Sequence, residues 1–177
     1  MPSKKISEHD LFVGPSITVK RLTFRKSDGL EFSKDVAVFR PGLVIVPVDD
    51  QKRVLLIHEF RPIRGGWSWR TPAGKMDKKG NPLFQAKREL LEEGGLIARH
   101  WKKIHAYLPE GSAMESITLF LATGLQKKGI QPEAYEEIKP RWVSLVKARS
   151  MAIEGKINHP VIAFAIIRAA HLLGAQK

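Results

Sequence analysis

The stretch that decides the fold runs over residues 88–96 and reads Arg-Glu-Leu-Leu-Glu-Glu-Gly-Gly-Leu. Each residue of an α-helix advances by about 100°, which places Glu89, Glu92 and Glu93 on one arc of roughly 100°. Two carboxylates about 6 Å apart repel each other by roughly 3 kcal/mol at an effective dielectric of 20. The C-terminal half of a helix disfavours negative charge further. The arrangement is therefore costly unless a cation joins it.

The helix that carries these carboxylates has clear boundaries in the sequence. Asn81 is a good N-cap, and Pro82 suits the first turn, where its missing N–H needs no partner. Gly94 and Gly95 supply the C-terminal stop. The sequence therefore predicts a helix over residues 82–94. The apolar side chains that can pack on a sheet are those of Leu83, Ala86 and Leu90.

The carboxylate cluster favours a hard divalent cation. Oxygen ligands without a neighbouring His or Cys are typical of Mg²⁺, with Mn²⁺ as a substitute, and not of Zn²⁺. Arg88 can fold back onto Glu92 across one turn. On the carboxylates alone, a solvated acidic face with this Arg–Glu pair is the alternative interpretation, so the flanking sequence has to decide.

The flanking sequence resembles the Nudix family. The Nudix box consists of a Gly, five residues, a Glu, seven residues, and then Arg-Glu-apolar-any-Glu-Glu-any-Gly-apolar. Gly74 matches the first position, and residues 88–96 match the second half at the right distance. The first Glu of the box falls on Gly80, and the resemblance gives that Glu the role of pairing with the box arginine. Asp77 is a nearby candidate substitute.

Segments outside the box resemble the ADP-ribose and nucleoside diphosphate sugar pyrophosphatases within that family. These enzymes often have Glu-Leu-Pro-Ala-Gly where residues 70–74 read Arg-Thr-Pro-Ala-Gly, so an acid is replaced by an arginine. Residues 109–115, Pro-Glu-Gly-Ser-Ala-Met-Glu, resemble the segment before a strand in the same group. The similarity extends roughly over residues 36–173.

The resemblance implies a set of site residues around the box arginine, Arg88. The implied metal ligands are the carbonyl of Ala73 and the carboxylates of Glu89, Glu92 and Glu93. A further Glu on a later loop would act as general base; the candidates, in order of preference, are Glu136, Glu133 and Glu137. The implied substrate contact in the 109–115 segment is Glu115.

Arginines close to the box are candidates for contacts to phosphate, because a guanidinium group recognises phosphate through two parallel hydrogen bonds. Arg61 and Arg70 are the preferred candidates, and Arg64 is a third. The alternative for each is an ordinary surface arginine.

The function implied by the resemblance is Mg²⁺-dependent hydrolysis of the diphosphate linkage of a nucleoside diphosphate sugar such as ADP-ribose, giving a nucleoside monophosphate and a sugar phosphate. One alternative is a Nudix hydrolase of other nucleotides, such as dinucleoside polyphosphates, NADH or the 5′-end of RNA. A second is a catalytically impaired nucleotide-binding sensor, which the Gly80 departure favours.

The rest of the chain predicts an α/β protein, and the resemblance implies a Nudix α/β/α sandwich with a mixed β-sheet. Residues 1–15 read as a loose lead-in, and residues 16–40 as an N-terminal β-hairpin that the resemblance links to homodimerisation. The expected division is therefore 1–40 and a Nudix domain over 41–177. Further strands are expected at residues 43–48 and 54–57 (a second, buried hairpin), 67–70, 117–121 and 141–145, and helices at 146–154 and from 158 on.

Composition narrows the class of protein. The chain of 177 residues has no cysteine, which excludes disulfides and thiolate metal sites and is compatible with the cytoplasm, where we expect it. No signal peptide or membrane-spanning run is expected. The net charge of +12 is spread along the chain and favours an anionic small molecule over nucleic acid, which stays open.

Overall fold

The computed structural model describes residues 2–76, 80–129 and 138–175. The chain divides into two compact units, one formed by Met1–Pro41 with Tyr107–Ile117, the other by Gly42–Ala106 with Thr118–Lys177. The elements in chain order are β1 (Lys4–Val13), β2 (Ile17–Arg25), β3 (Glu31–Phe39), β4 (Gly42–Pro47), β5 (Arg53–Arg61), β6 (Gly66–Arg70), β7 (Ala73–Lys75), α1 (Pro82–Gly94), β8 (Leu96–Tyr107), β9 (Ala113–Met114), β10 (Ile117–Lys127), β11 (Ile138–Ser144), α2 (Leu145–Ile153) and α3 (Pro160–Leu172).

The first unit is a sheet with the strand order β1-β2-β3-β9. The pairing of β2 with β3 is antiparallel and confirms the hairpin predicted within residues 16–40. The loose lead-in expected for residues 1–15 is wrong, because β1 pairs with β2 along its length. Its side chains are exposed apart from the half-buried Ser7, so no alternating apolar pattern could indicate a strand. Ion pairs from Lys20 to Glu8 and Asp10 join the two strands.

The second unit is built around β4, whose six residues are all buried. Leu43 and Ile45 belong to one apolar cluster with Ala86 and Leu90 of α1. Side chains alternate between the two faces of a strand, so Val44 and Val46 face the other way, and α3 is the second helix that packs on β4. A strand covered by helices on both faces is the central layer of an α/β/α sandwich.

Two sheets share this unit, with the strand orders β7-β4-β10-β8 and β11-β5-β6. The prediction that residues 43–48 and 54–57 form one hairpin is therefore wrong. A bridge between Val48 and Val54 closes the turn, but β5 then pairs with β11 and β6. Both segments are buried, and a continuous apolar run predicts burial without indicating which strand will be the partner.

Strand β8 was not anticipated from the sequence. Its inward residues are Leu96, Ala98, Trp101 and Ile104, while the residues between them are exposed. This spacing departs from the strict period of two that identifies a half-buried strand. The strand lies at the edge of its sheet, where charged side chains such as Lys102 and Lys103 oppose pairing with another chain.

The helices of the described residues, α1, α2 and α3, lie close to their predicted positions. Asn81 caps α1 by accepting hydrogen bonds from the backbone N–H groups of Leu83 and Phe84, and Gly95 ends the helix in the left-handed conformation with φ 63°. Ser144 caps α2 by accepting from the N–H of Lys147. No helix among the described residues combines the length and the apolar character that a membrane span needs.

Candidate active site

The site is built on α1, which carries three of the four predicted metal-binding residues. The side chains of Glu89 and Glu92 are 12% and 30% exposed, respectively. The backbone N–H of Ala73 donates a hydrogen bond of 3.0 Å to Oε2 of Glu93. The fourth predicted ligand, Ala73, is thereby brought directly against the helix, although 20 residues separate it from Glu93 in the sequence.

Gly74 makes this close approach feasible. A Cβ atom added to Gly74 would overlap the Cγ, Cδ and Oε1 atoms of Glu89. The box glycine therefore leaves room for a carboxylate, and its backbone conformation is not the reason for a glycine, since it is not in the left-handed region. Glu89 lies over Gly74, and Glu93 binds Ala73. Two carboxylates of the helix thus rest on two consecutive backbone units.

Gln85 orients one of these carboxylates and was missed at the sequence level. Its Nε2 atom donates a hydrogen bond of 2.7 Å to Oε1 of Glu89, and the residue is only 6% exposed. Residues four positions apart on a helix face each other. The four-residue spacing from Glu89 was the available signal, but it becomes informative only once burial is known.

Arg88 is held loosely by comparison. Its guanidinium nitrogens lie 3.6 Å from Oε1 of Glu89 and 3.8 Å from Oε2 of Glu92, and its side chain is 51% exposed. These separations exceed the 2.7–2.9 Å of a charge-assisted hydrogen bond. The predicted pairing with Glu92 is present as an ion pair, and Gly80 is exposed and has no side chain to add a partner.

The donor set fits an oxygen-preferring divalent cation. Carboxylates on one helix, with the backbone of residues 73–74 against them, offer hard oxygen ligands and no sulfur or imidazole. Among the described residues, no three His, Asp or Glu side chains form a ready-made metal-binding group. Glu89 and Glu93 instead make hydrogen bonds to Gln85 and Ala73, so binding a cation would require carboxylate oxygens to turn towards it.

A second charged cluster lies on β5 and β6. Glu59 accepts a hydrogen bond of 2.6 Å from Nη1 of Arg61 through Oε1 and one of 2.7 Å from Nη1 of Arg70 through Oε2. The side chain of Glu59 is 12% exposed, against 44% for Arg61 and 21% for Arg70. The two arginines predicted to contact phosphate are thus joined by a carboxylate that the sequence analysis did not single out.

The strand register places this cluster on the face that α1 covers. Residues two apart on a strand share a face, so Leu55, Glu59 and Arg61 of β5 point the same way. Leu55 belongs to the apolar cluster beneath α1 and lies against Gly94 at the end of that helix. Arg70 is also close to α1 along the chain, because it is three residues before Ala73, a span of at most about 11 Å.

The opposite face of this sheet is aromatic. His58 stacks on Trp69 with ring centroids 4.3 Å apart and lies 5.0 Å from Trp67. The Nζ atom of Lys139 lies 3.9 Å from the centroid of the Trp67 ring. The aromatic groups pack on one another, which is consistent with a structural role for Trp67 and Trp69.

Several predicted residues receive no placement in this site. The candidates for the general base, Glu133, Glu136 and Glu137, lie outside the described residues, and so does Asp77. Glu115 is half-buried and follows β9 in the other unit. Arg64 is not joined to the Glu59 cluster; its Nη1 atom donates to Oγ of Ser68 at 3.2 Å.

The family follows from comparison with known proteins. The model of the Nudix domain matches residues 38–163. The chain belongs to the Nudix family. This match confirms the resemblance seen in the box, and Nudix hydrolases generally use divalent metal ions, in agreement with the oxygen donor set on α1.

The sequences of related proteins align with most of this Nudix chain. It is 31% identical over 171 residues to an ADP-ribose pyrophosphatase of Mycobacterium tuberculosis, covering 94% of this chain and 82% of that protein. It is 29% identical over 185 residues to an ADP-ribose pyrophosphatase of Bacillus subtilis, covering 100% and 98%. A solved structure described as an ADP compounds hydrolase has a TM-score of 0.84 at 18% identity, covering 99% and 96%, and supports the Nudix α/β/α fold.

Proposed function

We propose that this Nudix protein hydrolyses the diphosphate linkage of nucleoside diphosphate sugars, with ADP-ribose as the first candidate. The products are a nucleoside monophosphate and a sugar phosphate. The observation that carries the proposal is the set of carboxylates on α1 resting on the backbone of Ala73 and Gly74. The two relatives named ADP-ribose pyrophosphatase supply the substrate class.

The chemistry divides between the bound cation and the residues of the chain. A divalent cation, which we propose is Mg²⁺, supplies charge neutralisation of the diphosphate and activation of water when it is bound. Glu89, Glu92, Glu93 and the carbonyl of Ala73 would hold it. Gln85 fixes the position of Glu89 through its hydrogen bond of 2.7 Å.

Other residues of the proposed mechanism bind the substrate and move protons. Arg61 and Arg70 contact the diphosphate through their guanidinium groups, and Glu115 contacts the substrate. Arg88 assists beside the metal-binding carboxylates. A carboxylate after β10 accepts the proton of the attacking water; we propose Glu136, with Glu133 and then Glu137 as the alternatives.

A second candidate function has an observation in its favour. Gly80 stands where the Nudix box has a Glu, and Arg88 makes only long ion pairs of 3.6 and 3.8 Å. A loosely held Arg88 favours a nucleotide-binding sensor with impaired catalysis. The net charge of +12 keeps other anionic substrates open, among them NADH, dinucleoside polyphosphates and RNA 5′-ends.

The test is a panel of substrates with product analysis. ADP-ribose, GDP-mannose, NADH, a diadenosine polyphosphate and 5′-triphosphate RNA are each incubated with and without Mg²⁺. Metal-dependent release of a nucleoside monophosphate and a sugar phosphate is the expected result. Turnover confined to polyphosphates or RNA would overturn the substrate class, and tight binding without turnover of any compound would favour the sensor.

The cellular setting forms part of the proposal. We place the protein in the cytoplasm, acting on a small molecule, as a homodimer in which residues 1–40 contribute to the interface and residues 41–177 form the Nudix domain. Support comes from the lack of cysteine and from the Nudix match, which begins only at residue 38. Size-exclusion chromatography with light scattering tests the dimer.

A further inference from the structure

We propose that Glu59 is a positioning residue that holds Arg61 and Arg70 as a two-guanidinium clamp for the diphosphate of the substrate. This inference rests on the proposed function and names a residue that neither the sequence pattern nor the comparisons single out. Its basis is one carboxylate bound to two guanidinium groups at 2.6 and 2.7 Å.

The backbone fixes the arrangement of the three side chains. Glu59 pairs with Ser68 and Ile57 pairs with Arg70 across the antiparallel strands, so Glu59 and Arg70 are diagonal neighbours on one face. Such neighbours lie roughly 7–8 Å apart, which suits long side chains. Arg61 is two residues beyond Glu59 on that same face, at about 7 Å along the strand. Side chains from a paired hairpin are better fixed than side chains from a loop.

Because Glu59 is largely buried, its ion pairs are screened by water less than exposed pairs are. Ion pairs between exposed side chains are screened by water and contribute little. The Glu59 side chain is 12% exposed and that of Arg70 is 21% exposed, so both are largely shielded. Two guanidinium groups brought together without the carboxylate would repel each other and separate. Glu59 therefore allows two cations to occupy neighbouring positions.

The clamp is also a feature of this particular chain. The Glu-Leu-Pro-Ala-Gly pattern that it resembles has an acid at the position of Arg70. In this chain the acid is Glu59 on the neighbouring strand, and Arg70 occupies the position of the acid in that pattern. The cluster as a whole carries one net positive charge, which suits an anionic diphosphate better than an acid at position 70 would.

Two opposite results can be expected of Glu59→Gln, and they separate positioning from simple electrostatics. If Glu59 only neutralises the arginines, its removal raises the positive potential and tightens binding of a diphosphate. If Glu59 positions them, its removal lets the guanidinium groups separate and weakens binding. The sign of the change in affinity therefore decides.

The experiment measures binding without turnover. Calorimetry in EDTA gives the Kd of ADP, which carries the diphosphate whatever the sugar, and of AMP, which lacks it. For Glu59→Gln, we expect the Kd of ADP to rise about tenfold, because charged hydrogen bonds are weakened, and that of AMP to rise less than threefold. In turnover with Mg²⁺, KM should rise and kcat should change little.

A matched control and a second variant keep the test decisive. Glu154→Gln removes an exposed carboxylate that pairs with Lys156 at 2.7 Å and should leave both Kd values unchanged. Should Glu59→Gln unfold, Arg70→Gln leaves Glu59 paired with Arg61 and should still weaken ADP more than AMP.

The proposal is overturned if Glu59→Gln binds ADP more tightly or with unchanged Kd, or if ADP and AMP weaken equally. Failure of the proposed function has a different signature. A wild-type protein that turns over no sugar nucleotide, yet binds ADP in a manner dependent on Glu59, would remove the proposed activity and leave the clamp in place.

Discussion

The two charged clusters of the second unit are inverses of each other. On α1, one arginine faces two carboxylates at 3.6 and 3.8 Å, and Arg88 is 51% exposed. On β5 and β6, one carboxylate, Glu59, binds two arginines at 2.6 and 2.7 Å. The first cluster has an excess of negative charge and loose contacts, and the second an excess of positive charge and tight contacts.

This difference indicates what each cluster lacks. An acid-rich group with weak internal pairing is suited to a cation, because the cation replaces repulsion between carboxylates with coordination. A base-rich group that is already organised is suited to an anion, because little side-chain entropy is lost on binding. A metal–diphosphate complex has both properties, so the pair of clusters fits that class of ligand better than either cluster alone.

The largest effect is expected in the acid-rich cluster. Glu93→Gln keeps the size of the side chain and its ability to accept from the N–H of Ala73, but removes the charge that would hold a cation. We expect kcat at saturating Mg²⁺ to fall roughly a thousandfold while the far-UV spectrum stays native. Turnover within tenfold of the wild type would show that Glu93 is not a metal ligand.

A smaller effect is expected from a substitution of Gly74, against which Glu89 of α1 lies. The Cβ atom of Gly74→Ala would push against the Glu89 carboxylate, a flexible group that can move at the cost of its bond to Gln85. A displacement of about 1 Å can cost roughly a hundredfold in rate, and we expect kcat/KM to fall by about that factor in a steady-state assay.

A comparison of melting temperatures should distinguish this local displacement of Glu89 from a general loss of stability. Gly111→Ala is the control, because an added Cβ there has no atom within 4 Å, and its melting temperature should match that of the wild type. If Gly74→Ala keeps full activity, Glu89 does not need its observed position.

The smallest effect concerns the residue between the two clusters. Thr71 is 1% exposed, and its hydroxyl has no hydrogen-bond partner among the described residues. Because an unsatisfied buried hydroxyl is unfavourable, Thr71→Val should raise the free energy of unfolding by about 1 kcal/mol. Urea denaturation measures it, and Thr71→Ala, which also removes a methyl group, should instead destabilise the protein. A destabilised Thr71→Val would show that the hydroxyl has a partner after all.

Local signals made part of the fold predictable. The bounds of α1 follow from Asn81, Pro82 and Gly95, each of which acts within one turn of its own position. Strand β1 was not predictable, because its backbone pairs while its side chains remain exposed. The wrong hairpin of β4 with β5 has a related cause, since the partner of a buried strand is chosen by distant residues.

The residues of the site likewise divide into those that local spacing predicts and those whose role depends on tertiary structure. The carboxylates of α1 were visible because a helix repeats at a fixed period and the box has a fixed spacing. Glu59 was hidden, because its partnership with Arg70 depends on the register of two strands. Gln85 was hidden because a polar residue on a helix gives no sign of being 6% exposed. The general base was left among three glutamates, and none of them lies within the described residues.

The register of β5 also has a consequence for the order in which the protein assembles. Arg53 of β5 pairs with Ser144 of β11, a separation of about 90 residues, and long-range pairing of this kind slows folding. The caps and the hydrogen bonds of α1 all come from residues close to the helix in sequence. During synthesis these residues are therefore available well before residue 144 leaves the ribosome, whereas the sheet that supports Glu59 gains its outer strand only when most of the chain has been made.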